Sequence, residues 1–224
     1  MIEHIEQGTL PAHVKACIAL TSWKKRINTV GLTIFNLMCV CGPEFHIVLT
    51  LAEEEFPGKE RELPRDLVLM NKAGVFEILW VKKNYKAFKK WIFCAKRYQR
   101  WPIISADDDC VYIYNFAEYL YKFADLHKCS ICTYDAYNVN NRHIILDNKN
   151  VPIRGPATLY YNNTFTDAVI KAVEAGIFNI TVQDDNVYDA IASTQHIIVK
   201  RVDKSLSDIL CFHDNNDALG DIYE

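Results

Sequence analysis

Short apolar runs alternate along the chain with longer segments whose apolar positions recur at helical spacing. Val14–Leu20 is the first run, and it ends in Thr21, Ser22 and the basic triplet Lys24-Lys25-Arg26. An apolar run of this kind bounded by polar residues predicts a buried strand that feeds a loop. Val30, Ile34, Leu37 and Met38 then share a helical face, and Gly42-Pro43 stops the pattern. His46–Leu51 predicts a second strand, Pro64–Ala73 a short helix and Val75–Val81 a third strand. Lys86–Tyr98 predicts a helix with Phe88, Ile92 and Ala95 on one face. Pro102–Ala106 predicts a fourth strand, which runs directly into Asp107-Asp108-Asp109.

Strand and helix in strict alternation form the βαβ rhythm, which builds a parallel sheet covered on both faces. Such sheets bind ligands beyond the carboxyl ends of their strands. Polar clusters end the apolar runs on that edge: Thr21-Ser22 with the basic triplet, Ala52-Glu53-Glu54, and the aspartate triplet. Farther along, Phe116–Leu126 predicts a helix and Ser130–Tyr134 a strand, followed by an irregular Asn- and Tyr-rich stretch from Tyr137 to Asn163. Thr166–Ala175 and Asp185–Ser193 predict helices, His196–Val202 a strand, and the last dozen residues a polar tail. The expected fold is α/β: a single Rossmann-like nucleotide-binding domain over residues 1–224, with a mostly parallel central sheet flanked by helices.

Composition narrows the function classes. The chain has 224 residues, 50% of them hydrophobic and 24% charged, which excludes disorder for most of its length. A chain of this size buries roughly 70% of the surface its unfolded form exposes, so it needs no disulfide or metal staple. Its 25 Lys+Arg against 28 Asp+Glu leave −3, and no basic field favours a nucleic-acid partner. Glu3, Glu6, Pro11 and Lys15 stand where a secretory signal would be apolar, and no run approaches the roughly 18 apolar residues of a membrane span. The expected location is cytoplasmic or peripheral to a membrane. The 8 cysteines sit mostly inside apolar runs and read as small hydrophobes. Cys129-Ser-Ile-Cys132 has the spacing of half a zinc ribbon or of a redox pair, but no second C-x-x-C accompanies it.

The aspartate triplet is the sharpest chemical feature. Adjacent carboxylates repel, so their position at the end of a buried strand calls for positive charge. Hard oxygen ligands suit Mg²⁺ or Mn²⁺, which are commonly held by one or two carboxylates together with substrate phosphates. In extended backbone Asp107 and Asp109 point to one side and Asp108 to the other. The bland alternative is a solvated acidic turn.

The motifs together resemble a known family. Thr21-Ser22-Trp23 with Arg26, Glu54-Glu55-Phe56-Pro57, Leu63-Pro64 with Leu67, Lys89-Lys90 and Ile104-Ser-Ala-Asp107-Asp108-Asp109 occur in that order between residues 14 and 112. The chain thereby resembles nucleotide-diphospho-sugar glycosyltransferases of GT-A fold with a D-x-D motif, and is most similar to the small transferases of surface-polysaccharide assembly. The resemblance implies a UDP-sugar donor, a carbohydrate or glycolipid acceptor and inverting transfer. It implies Mn²⁺ or Mg²⁺ held by Asp109 and Asp107, with His213 completing the coordination. Thr21, Ser22 and Arg26 would hold uracil and ribose, Asp107 and Asp108 the ribose or donor sugar, and Gly155 the turn beneath the sugar. Lys86, Lys89 and Lys90 would approach the diphosphate, or else form an exposed helical face. Asp185 would be the general base and Asp184 an acceptor ligand, although Asp before a helix is also a common N-cap. Residues 1–112 would form the donor half and 113–224 the acceptor half. Two alternatives are a nucleotidyl- or sugar-phosphate transferase, which would normally carry a Gly-rich loop absent from Thr21–Arg26, and a non-catalytic sugar-binding module.

Overall fold

The computed structural model describes residues 2–135, 155–161, 164–177, 184–205 and 209–211. The first half runs β1 (Ala16–Thr21), α1 (Val30–Cys41), β2 (Phe45–Ala52), α2 (Arg65–Lys72), β3 (Glu77–Val81), α3 (Lys89–Arg97) and β4 (Ile103–Ser105). It continues through β5 (Cys110–Val111), α4 (Phe116–His127), β6 (Ile131–Asp135), β7 (Thr158–Tyr160), α5 (Thr164–Glu174), α6 (Asp184–Thr194), β8 (Val199–Ser205) and β9 (Leu210–Cys211).

β1 is buried almost throughout because both faces of the sheet are covered, which is why its run is apolar without alternation. Ala16, Ile18 and Leu20 face a core shared with α1, α2 and α4, while Cys17 and Ala19 face a second core shared with α3, α5 and α6. Among the described residues the main sheet has 7 strands in the order β3-β2-β1-β4-β7-β6-β8. β1 pairs in parallel with β2 and β4, β2 with β3, and β6 with β8; among the described strands of this sheet β7 alone runs antiparallel, between β4 and β6. The expected mostly parallel α/β sheet is therefore what the chain forms.

Tertiary partners rather than local pattern explain where the expectations differ. β7 lies inside the stretch expected to be irregular, and β5 and β9 form a separate 2-stranded sheet. These strands are too short to display a period of two, and neighbouring strands alone hold them. Lys86–Phe88 is a tight 3₁₀ turn ahead of α3 instead of its first turn. Met38, expected on the core face of α1, is exposed together with Leu32 and Phe35. The stretch 136–154 and the polar tail after residue 211 lie outside the described residues.

Among the described cysteine side chains all are free thiols, and only Cys39 is exposed, as expected of small core residues. Cys129 and Cys132 hydrogen-bond one another. No helix among the described residues is long and apolar enough to cross a membrane.

Aromatic packing fixes the helices on the second face. Trp91 on α3 lies 5.0 Å from Tyr160 on β7, 5.8 Å from Phe165 on α5 and 5.3 Å from Tyr188 on α6. Phe88 also meets Tyr188, with ring centroids 5.8 Å apart. One indole thus joins three later elements to the first half of the sheet.

At the amino ends of β2 and β3, Glu77 forms an ion pair with Arg97, Nε to Oε1 2.6 Å, and accepts hydrogen bonds from His46 Nε2 at 3.0 Å and from the Tyr98 hydroxyl. Burial pushes its carboxyl upward, but the bonds from His46 and Tyr98 and the charge of Arg97 outweigh it and leave the pKa below 4.5. A depressed carboxylate stabilises the fold above its unfolded pKa and loses that contribution as pH falls through its folded value. Glu77→Gln should therefore cost about 1–3 kcal/mol at neutral pH, and its gap from the parent should shrink below pH 4.5. Urea unfolding midpoints over that range check both.

Candidate active site

β4 lies on one side of β1 and β2 on the other, so the chain's strand order reverses at the β1–β4 pair. The loops that leave these strands part at that point and open a crevice beyond their carboxyl ends. Both sharp motifs of the sequence meet there, because Thr21 ends β1 and Ser105 ends β4.

The aspartate loop is pinned from α1 and from within. Thr33 Oγ1 reaches the carbonyls of Asp108 and Cys110, each at 3.0 Å. Asn36 bonds both backbone groups of Tyr112, at 2.7 and 3.2 Å, and the Tyr112 hydroxyl accepts the Asp107 N–H at 2.7 Å. Thr33 and Asn36 are polar positions in an otherwise apolar helix, which is the sequence signal that could have marked them.

Each carboxylate of the triplet has a protein partner. Asp107 Oδ1 receives Lys90 Nζ at 2.7 Å. Asp108 Oδ2 accepts the Ser22 hydroxyl at 2.5 Å, and its Oδ1 lies 3.2 Å from Arg26 Nη1. The same Arg26 nitrogen pairs with Asp109 Oδ2, while Asp109 Oδ1 accepts the Cys110 thiol at 3.4 Å. The side chains of Asp108, Asp109 and Arg26 are 5%, 6% and 13% exposed, so water screens these pairs weakly. The solvated acidic turn is thereby excluded. Asp107 and Asp109 do bring ligand atoms to within 4.8 Å of each other while Asp108 turns inward to Ser22, but a turn at residues 108–109 rather than extended backbone arranges them, and Asp107 is the most open of the triplet at 35%.

Lys89 and Lys90 are buried, which removes the exposed-face alternative for both. Lys89 Nζ is 3.3 Å from Glu55 Oε2 and 3.2 Å from Asn84 Oδ1. Burial pulls its pKa down, and Glu55 opposes that shift. Glu55 and Asn84 were missed as site residues, although Glu55 sits in the acidic segment after β2. Lys86 is set apart: it takes a left-handed φ of 53° and gives its backbone N–H to Asn84. The Thr21 hydroxyl donates to the Thr50 carbonyl at 2.8 Å. Of the basic triplet only Arg26 turns inward, since Lys24 and Lys25 are exposed.

The second half contributes less to the description. Thr158 pairs with Ser105, so the turn Gly155–Ala157 lies beside the end of β4. Asp184 is the buried first residue of α6, and Tyr188 one turn later packs on Phe88 and Trp91 at the start of α3. Tyr188 thus seats α6 against Phe88 and against the helix that carries Lys89 and Lys90. Asp185 occupies the first turn of α6. His213 lies outside the described residues.

Asp107, Asp109 and Cys110 each offer a ligand atom, all within 4.8 Å of one another. Two carboxylate oxygens beside a thiol fit a divalent cation.

Comparison with known proteins bears on the fold. No protein-family model matches the sequence, and no curated protein matches it. Solved structures do match. The fold is similar to that of S. aureus TarS. Against TarS 1–349 in complex with UDP-GlcNAc the TM-score is 0.62 at 11% identity, covering 94% of this chain and 62% of that one. The TarS 1–349 crystal structure gives 0.57 at 14% identity, with 86% and 59% covered, and the longer TarS structure gives 0.56 at 14% identity, with 86% and 36% covered. This chain therefore spans about three fifths of the TarS 1–349 chain or less. The likeness establishes the GT-A type of α/β fold.

Arg26 is shared between two carboxylates and cannot fully compensate both. Burial, opposed only in part by Arg26 and Ser22, pushes Asp108 up to about 6 from its ordinary 3.8. A raised carboxyl binds its proton more tightly in the folded chain, so its contribution is full at low pH and is lost as pH rises through the folded value. Metal-free protein should lose on the order of 3 kcal/mol through this group between about pH 4 and pH 6, and Asp108→Asn should not. Urea titrations of both proteins at the two ends of that window check it; parallel curves contradict the assignment.

Proposed function

We propose that the chain is a metal-dependent glycosyltransferase that moves a sugar from a UDP-sugar to a hydroxyl of a carbohydrate or glycolipid, with inversion. One observation carries the reading: Arg26, Lys89 and Lys90 converge with Asp107–Asp109 at the strand-order reversal, each cation buried or nearly so. Buried cations and carboxylates in one crevice suit a ligand that is anionic itself and brings a metal with it. The similarity to a fold crystallised with UDP-GlcNAc and with UDP supports a nucleotide-sugar donor.

Mn²⁺ or Mg²⁺ would be held by Asp109 and Asp107 with His213, and when bound it supplies Lewis-acid neutralisation of the leaving diphosphate. Ser22 and Arg26, at the end of β1, hold the nucleotide side of the donor. Lys90 neutralises Asp107 and stands with Lys89 at the diphosphate. The turn at Gly155 supports the donor sugar beside β4. Asp185 takes the proton of the acceptor hydroxyl from the face opposite the departing diphosphate, and Asp184 orients that acceptor. Inversion follows from that single in-line displacement.

Asp185→Asn should lower transfer by about 10²–10⁴-fold while UDP affinity stays within twofold. An unchanged rate removes Asp185 as base. Calorimetric titration of UDP should show tighter binding with Mn²⁺ than in chelator, and Asp109→Ala should abolish the difference. Metal-dependent hydrolysis across a panel of UDP-sugars identifies the donor.

A further inference from the structure

Arg26 stands on one of the two oxygens through which Asp109 could hold a cation. Its Nη1 touches Asp109 Oδ2 and lies 3.2 Å from Asp108 Oδ1, and Asp109 is a member of the cluster able to hold a metal. One face of a carboxylate oxygen cannot accept a guanidinium hydrogen and a divalent ion together. Charge leads to the same exclusion: Lys90 and Arg26 already pair with all three aspartates, and a divalent ion brought beside Arg26 would meet a buried like charge.

The guanidinium is nonetheless incompletely satisfied where it stands. Its Nε is buried and has no hydrogen-bond partner among the described residues. A buried donor left unpaired is costly, and an Arg in that state gains by turning to a phosphate it can grip with two N–H groups. The backbone beneath it is fixed, because Arg26 N–H bonds the Trp23 carbonyl at 2.9 Å and the Arg26 carbonyl accepts Thr29 N–H at 3.0 Å. An exchange of partners then falls to the side chain.

We infer that Arg26 is a resident counter-cation that keeps a divalent ion off Asp109 until a diphosphate draws its guanidinium away, which makes metal and nucleotide binding mutually dependent. This rests on the donor-site reading above. Coupling of this kind is reciprocal: each ligand raises the affinity for the other by the same factor. Arg26 supplies that factor here by blocking the metal site in the nucleotide-free protein.

Free Mn²⁺ measured by electron paramagnetic resonance, with no nucleotide present, tests the inference without reference to turnover. Arg26→Met should bind Mn²⁺ at least about tenfold more tightly than the parent, while Arg26→Lys, which keeps the charge, should stay near the parent value. Measurable but equal affinity in parent and Arg26→Met overturns the role of Arg26 and leaves the metal reading intact. No Mn²⁺ binding by either protein, with or without UDP, removes the metal reading and this inference with it. Should Arg26→Met fail to fold by circular dichroism, the parent decides alone. UDP with Mg²⁺ must shift the Arg26 Nε–H resonance in a ¹⁵N spectrum, and a stationary resonance overturns the inference.

Discussion

Three adjacent carboxylates at the end of one buried strand can persist only if cations reach them from elsewhere in the chain. Arg26 arrives from the loop after β1 and Lys90 from the first turn of α3, separated from their partners by 82 or more and by 17 positions respectively. Neither cation would be buried without the aspartates, and the aspartates would not fold inward without them. The order of β1 and β4 as neighbours and the seating of α3 across the sheet follow the same requirement. An error in either would leave uncompensated charge in a place with little water.

The sheet edge is completed by elements that have weak local identities. β7 is 3 residues long and antiparallel, yet through Thr158 it places the Gly155 turn against the end of β4. Trp91 then gathers Tyr160, Phe165 and Tyr188 around one indole, and with them β7, α5 and α6. Aromatic contacts of this sort combine large burial with preferred geometry. They are the means by which α6, remote in sequence, is seated against Phe88 and Trp91 through Tyr188.

The similarity to TarS concerns architecture, since identity is 14% or less. In this chain the crevice holds a thiol at Cys110 within the acidic cluster and an arginine bridging two of its carboxylates. Thiolate beside carboxylate changes which ions a site prefers, because sulfur is softer than oxygen. The fold frames these donors without by itself deciding which they are.

Apolar runs, their lengths and the polar clusters that end them were enough to read the α/β class, the parallel first half and the crevice edge. That information is local: a strand buried on both faces must be continuously apolar, and Asp107–Asp109 are contiguous wherever they fold. Only tertiary structure decided which residues answer them. Lys89 and Lys90 read equally as a solvated helical face, and Arg26 as one of three similar basic residues, until the packing of α3 and the turn after β1 separated them from solvent. β5, β7 and β9 exist because partners hold them. The inward turn of Asp108 likewise depends on Ser22, 86 residues away. Charge pairing and short-strand pairing act between segments distant in sequence, and no periodicity along one segment encodes its partner.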